Sequence, residues 1–373
     1  LLAQAEDKRL LWSHYYKTGQ FEKAEEILLN LYNQNPKDPN IIGGLLFVAE
    51  KTSQPEKIKT YSQQLVDVQD TIENRLLQIQ IMLKVGLINE AEAKLQSTKE
   101  KYPDDSRSLI FESWVKMRKG DLPPALDLAN QYLQTNQSNP IGWRLRGQIN
   151  LLLTNSDQAI LDLKQSKTLK DDPATRIELA RAYLKAGRTE DAITELQNTP
   201  DTPETPTGAT RLLEQVYRRY NNTDSLAQLY RDSMEKFPDQ PYWFVRAGSF
   251  AKSNEKLDRA AELYKLAWQK SKDTTQPSLD ALQGYLNVLV QQGKYDQVIQ
   301  NARQYTDSQF APVAYYAMAS AKMKLNDKKT AIDYCTKAVE KAEENPILAS
   351  SILQQMYQLL GQEEVQKLCD SKL

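Results

Sequence analysis

The sequence predicts an all-helical solenoid, a row of similar helix pairs that bury their apolar sides against one another. Three observations predict it. In the helical stretch LARAYLKAGRTEDAI, residues 179–193, a lone Gly187 follows Tyr183 and Ala180 and precedes Ala192. The same offsets recur along the chain in frames that begin 33 to 35 residues apart, with one spacing of 38. Pro stands near the end of several frames, where a helix has to stop. A fixed period of this length is the signature of a repeat architecture.

The elements follow in order when Gly187 is taken as position 15 of its frame. The first repeat carries Tyr15, Gly19 and Ala24 at positions 11, 15 and 20, and Pro36 at 32. The third carries Gly86, Ala91 and Pro103, and the fourth Gly120 and Ala125. The fifth lacks Gly at its turn but has Trp143, Gly147 and Ala159 at positions 4, 8 and 20. The sixth places Leu179 and Ala180 at 7 and 8; Pro238 closes the seventh, and Gly248 with Ala260 marks the eighth. Gly293 and Val298 mark the ninth, Ala331 the tenth, and Leu353, Tyr357 and Gly361 the eleventh. Small residues at 8 and 20 let the two helices of a pair approach, and larger ones at 7, 11 and 24 fill the space around that contact. Gly at 15 ends the first helix in the left-handed conformation, and the charged residues after it open the second. Each pair leaves an apolar side that only the next pair covers, so this periodicity is core.

These positions resemble the tetratricopeptide repeat family, a 34-residue unit with Trp at 4, Leu at 7, Gly at 8, Tyr at 11, Ala at 20, Phe at 24, Ala at 27 and Pro at 32. The resemblance covers nearly the whole chain, from about Ala5 to Leu373, as ten repeats and a degenerate eleventh. It departs from the family at position 4, Trp only in the fifth repeat, and at 32, Pro only at Pro36, Pro103 and Pro238. The implied fold is a right-handed superhelical array of antiparallel helix pairs.

Two places interrupt the array. NTPDTPETPTG, 198–208, has three Pro and four Thr where the second helix of the sixth repeat should finish, which ends that helix at Gln197 or Asn198. The expected organisation is therefore repeats one to six over 1–198, a Pro/Thr-rich connection over 199–208, and repeats seven to eleven over 209–373 with capping helices at the end. KSKDTTQPS, 270–278, supplies the extra residues of the longest spacing as a surface insertion. The chain opens at Leu1 with no polar cap and without Met, so further repeats or another domain are expected before it.

Composition excludes much chemistry. The 48 basic and 49 acidic residues leave a formal charge of -1, so no global field draws the chain to nucleic acid or an anionic membrane. No apolar run approaches the ~18 residues of a membrane helix, and no signal peptide is evident. His14 is the only His, and Cys335 and Cys369 the only thiols, so a four-ligand Cys/His zinc site cannot form and a His-based triad has no local support. No phosphate-cradling Gly loop is present. Neither enzyme chemistry nor a cofactor or metal is expected. Cys335 and Cys369 sit near position 24 of adjacent second helices, as buried packing rather than a disulfide. The terminal SKL matches a peroxisomal address, and Asn136 and Asn221 open glycosylation triplets, all read as chance matches.

What remains is binding. The resemblance implies that first helices line a concave groove for partner segments, with positions 2, 5, 9, 12 and 13 pointing into it. In repeats four to eight these give Trp114, Met117, Arg118, Arg144, Gln148, Arg181, Lys185, Arg211, Gln215, Arg218, Arg219, Tyr242 and Lys252. Eight are Arg or Lys with few acids among them, so the expected ligand is an acidic protein segment with apolar anchors. The family's carboxylate clamp for chaperone tails is not matched, since Arg9 is followed by Ser13 and Arg144 by Gln148. The expected function is a non-enzymatic scaffold that gathers partner proteins. The alternatives are a docking arm of a larger enzyme or of envelope export or polysaccharide machinery, and a module that self-assembles through its terminal repeats. A soluble chain of the bacterial envelope, periplasm or cytoplasm fits each of them.

Overall fold

A computed structural model describes residues 11–200, 208–274, 277–342, 346–361 and 365, with backbone alone at 346–349. Every regular element among them is an α-helix. The first helix of each repeat is α1 (11–17), α3 (Pro39–Lys51), α5 (Ile72–Lys84), α7 (Arg107–Lys119), α9 (Pro140–Leu152), α11 (Pro173–Lys185), α13 (Gly208–Arg219), α15 (Pro241–Ser253), α17 (Leu279–Gln291), α19 (Ala311–Lys324) and α21 (Pro346–Leu360). The second helices alternate with them: α2 (Phe21–Gln34), α4 (Pro55–Val68), α6 (Ile88–Lys101), α8 (Leu122–Thr135), α10 (Ser156–Leu169), α12 (Thr189–Gln197), α14 (Thr223–Lys236), α16 (Leu257–Ser271), α18 (Tyr295–Arg303) and α20 (Lys328–Ala342). This is the all-α solenoid of antiparallel pairs that the period demanded.

The turn between paired helices carries the clearest proof of register. Positive φ occurs at Gly19, Ser53, Gly86, Gly120, Thr154, Gly187, Asn221, Glu255, Gly293, Asn326 and Gly361, and each is position 15 of its repeat. Five of these are not Gly, so the fold imposes the left-handed turn even where a side chain strains it. Position 20 is equally consistent. Ala24, Ala91, Ala125, Ala159, Ala192, Ala260 and Ala331 have no exposed surface, and Ile58, Leu226 and Val298 are buried where a larger residue takes the place. At Gly147 a Cβ would come within 2.8 Å of Leu163 Cγ and 3.4 Å of the Ala159 carbonyl oxygen, so the small residue is what lets α9 meet α10.

Pro works at both ends of the pairs. Pro36, Pro103 and Pro238 follow the C-caps of α2, α6 and α14, whose residues Asn35, Tyr102 and Phe237 have left helical geometry as the residue before Pro must. Pro39, Pro140, Pro173 and Pro241 start first helices, where the missing N–H costs nothing. Asp38, Asn139 and Asp172 cap three of these starts through side-chain oxygens that accept backbone N–H bonds. One polar cluster is buried inside the fifth repeat. Asp162, 1% exposed, accepts from Arg146 at 2.7 and 3.1 Å, from Asn150 at 2.9 Å and from Gln158 at 3.0 Å.

Packing divides the chain into two compact units, Leu1–Val216 and Tyr217–Leu373, with the division inside α13. α12 is short and ends at Gln197, as the Pro/Thr-rich stretch requires. α18 is equally short, which the sequence did not suggest; Tyr305 and Phe310 beyond it pack edge-on against Trp268 at 5.5 and 4.9 Å, and Trp268 Nε1 donates to Tyr305 Oη at 2.7 Å. Most of the connection at 199–208, the Thr275–Gln276 part of the insertion, and the C-terminal segment with Cys369 and SKL lie outside the described residues. Cys335 is free and fully buried, and burial pushes its thiol up to about 12.

Candidate functional site

Residues at helix positions 2, 5 and 9 project from one face, because the spacings of three, four and seven residues nearly complete whole turns. In the first unit this face is hollow. A cavity of about 310 Å³ is lined by Glu73, Leu76 and Gln80 of α5, by Arg107, Ile110 and Trp114 of α7, and by Ile141, Arg144 and Gln148 of α9. These are positions 2, 5 and 9 of three consecutive repeats. Leu77, Phe111 and Leu145 at position 6 form the floor with Tyr132 and Asn139. Phe111 and Trp114 stack at 6.5 Å, and Asn139 Nδ2 donates to the Tyr132 hydroxyl at 2.8 Å, so the aromatic walls are held in place. Ile141, 47% exposed, is the apolar rim.

The charged lining is balanced. The Arg107 guanidinium donates to Asp105 at 2.7 Å and to Glu73 at 3.1 Å, and the Asp105 carboxyl is held below the usual range by it. Arg144 lies 3.6 Å from Asp172. Gln148 Nε2 donates to Glu178 Oε1 at 2.5 Å, while Glu178 Oε2 is buried without a partner. Burial pushes the Glu178 carboxyl up to about 7 against the opposing pull of Arg144, the Gln148 bond and Arg181, with Asp172 adding to the rise.

Three of the sequence-selected residues, Trp114, Arg144 and Gln148, line this cavity. Met117 packs against the apolar cluster of the fourth and fifth repeats, and Arg118 is exposed beyond it. Arg181 is exposed on α11, and Lys185 Nζ donates to the Leu151 carbonyl at 3.0 Å, tying the sixth repeat to the fifth. Arg211 and Gln215 are exposed on the first-unit part of α13. In the second unit, Arg218 Nε donates to the Tyr230 hydroxyl at 3.2 Å and Arg219 lies over the Tyr220 ring at 6.0 Å. Tyr242 meets Trp243 edge-on at 4.8 Å with Arg246 over its ring, and Lys252 is half-buried. Farther along that unit, Gln283 at position 5 of the ninth repeat donates to Gln355 at position 9 of the eleventh at 2.9 Å, bridging the face that stands open in the first unit.

The acids taken to be sparse are therefore present beside both cavity arginines. The third repeat's wall lies outside repeats four to eight, where the groove was expected, and Arg107, Ile110 and Ile141, at positions 2 and 5 of the fourth and fifth repeats, obey the same position rule without having been singled out. Among the described residues no group of three or more His, Cys, Asp and Glu could hold a metal, and no helix is long and apolar enough to cross a membrane.

A family model described as a tetratricopeptide repeat matches residues 312–345, the span of the tenth frame. No curated protein matches the chain. Among solved structures, the chain is similar to a thermophilic TPR protein of Thermus thermophilus, TTC0263, at 19% identity and TM-score 0.36, over 57% of this chain and 98% of that one. It is similar to a tetratricopeptide repeat protein of Parabacteroides merdae at 14% identity and TM-score 0.39, over 76% of this chain and 97% of the other. A human IFIT1 dimer with PPP-AAAA aligns at 15% identity and TM-score 0.43, over 87% of this chain and 69% of that one. All three scores lie below 0.5, so they add nothing to what the helix pairs themselves display.

Proposed function

Because the chain is a tetratricopeptide-repeat protein, we propose that it is a non-enzymatic scaffold that holds a segment of a partner protein in the groove of repeats three to five. One observation carries this reading: positions 2, 5 and 9 of three successive first helices converge on a cavity of about 310 Å³ with an apolar, aromatic floor. That volume accepts one large apolar side chain as an anchor and leaves the segment's backbone to run across Gln80, Trp114 and Gln148. Arg144, whose ion pair with Asp172 is loose at 3.6 Å, is the place for an acidic neighbour of the anchor. The bridged face of repeats nine to eleven fits no such segment at that level, which favours the first unit. Attachment to a larger enzyme, to envelope machinery or to further copies of itself would use surfaces outside this groove.

Peptide display selected against the whole chain tests the reading. Selected peptides should share a Leu, Phe or Trp anchor, and Ile141→Glu at the exposed rim should weaken them at least about ten-fold with no loss of fold. Peptides that bind Ile141→Glu as well as the parent chain would remove the groove from consideration.

A further inference from the structure

Glu178 stands directly behind the groove. It belongs to α11, at position 6 of the sixth repeat, and reaches back so that Oε1 accepts from Gln148, a cavity residue, at 2.5 Å. Its other oxygen is buried without a partner. The charged groups that act on it are Arg144 from α9, Asp172 at the start of α11 and Arg181 one turn along its own helix. Of the remaining helices packed on α11, α10 carries Asp162 and Lys167 and α12 carries Glu195. These are closed into pairs, Asp162 with Arg146 and Glu195 with both Lys167 and Arg176, while Lys164 lies over the Tyr183 ring. The balance at the groove wall is thus two arginines against Asp172 and, when it is ionised, Glu178.

We propose that Glu178 makes the groove proton-dependent, so that an anionic, apolar-anchored segment is held tightly when this carboxyl is neutral and more weakly when it is charged. The inference rests on the reading of the cavity as the binding site. Its physical basis is simple. An ionised carboxylate beside Arg144 cancels much of the field that would hold a ligand's acid; the neutral form cancels none. The buried, half-satisfied position disfavours the charge and brings the change to about pH 7. By linkage, an anionic ligand must in turn raise proton uptake at Glu178.

The probe is 8-anilinonaphthalene-1-sulfonate, whose rings suit the floor and whose sulfonate does not titrate between pH 6 and 8. Its affinity is followed by fluorescence on the full chain, on Glu178→Gln and on Ile141→Glu, with circular dichroism to check folding. Wild type should bind about three- to ten-fold more weakly at pH 8 than at pH 6, and Glu178→Gln should bind at both with the tighter affinity. Ile141→Glu should bind poorly throughout. If Ile141→Glu loses the probe while wild type and Glu178→Gln share one pH profile, the groove reading stands and the proton dependence is overturned. If Ile141→Glu binds normally, the probe is elsewhere and the groove reading falls, taking the proposal with it. A carboxyl carbon NMR titration of the wild-type chain needs no variant: one Glu signal should move near pH 7, and its absence would overturn the proposal by itself.

Discussion

Two glycines in first helices make opposite predictions for one chemical change. Gly43 in α3 and Gly284 in α17 are both helix-interior positions, so Ala at either gains about 1 kcal/mol of helix propensity. A Cβ at Gly43 meets nothing within 4 Å. A Cβ at Gly284 would lie 2.4, 2.5 and 2.7 Å from three ring carbons of Tyr264, a rigid ring that is 6% exposed and also covers Gly248. Overpacking of this kind costs about 1–3 kcal/mol, and contacts this short belong at the upper end. Gly43→Ala should therefore stabilise by about 0.5–1 kcal/mol, and Gly284→Ala should destabilise by about 1–2 kcal/mol net. Urea unfolding followed by far-ultraviolet circular dichroism measures both, with midpoints compared rather than extrapolated energies because repeat arrays need not unfold in one step. Tyr264→Leu should remove most of the Gly284→Ala penalty in a double-mutant cycle. A Gly284→Ala chain as stable as the parent would refute the claim that Tyr264 is wedged between the eighth and ninth repeats.

Asp162→Ala strands Arg146 and Asn150 beside a buried gap and should cost about 3–5 kcal/mol, read as a lower urea midpoint; a loss under about 1 kcal/mol would show that this cluster is not sealed from water. Glu178 has a folded value of about 7 against an ordinary 4.5, so the folded chain holds its proton longer than the unfolded one. Its stabilising contribution is complete below about pH 4.5 and is lost as pH rises through 7, so at pH 8 Glu178→Gln should exceed the parent in stability by about 1–3 kcal/mol and converge with it near pH 4.5. Equal midpoints at pH 8 would contradict this. Cys335, buried with its thiol up at about 12, should resist a thiol reagent at pH 8 in the native chain and react on unfolding. Rapid native labelling at Cys335, located by peptide mass mapping, would count against its burial in α20.

Much of this molecule was legible because its repeats are local. A helix pair is specified by residues within one frame: Gly187 turns the chain, Ala192 lets α12 approach α11, and Pro36, Pro103 and Pro238 stop second helices where they stand in the sequence. The site was legible only in part. The position rule found Trp114, Arg144 and Gln148, because periodicity says which face a residue takes. It could not say which stretch of that face is hollow or which arginine is already paired. Those depend on neighbours about one repeat away, such as Asp172 beside Arg144, Glu178 behind Gln148 and Glu73 across from Arg107.

The sequence by itself thus determined the helices, their pairing and their order, since each is decided by backbone preference and by contacts inside a frame or with the next. It did not mark Ser53, Thr154, Asn221, Glu255 and Asn326 as left-handed turns, which stacking imposes against local preference at Ser53, Thr154 and Glu255 and which Asn adopts more readily at the other two. Nor did it place the cavity, set the charge of Glu178 or bring Gln283 onto Gln355 across two repeats. Those features arise from how side chains of successive repeats meet in three dimensions, where burial and the net field depend on every neighbour at once.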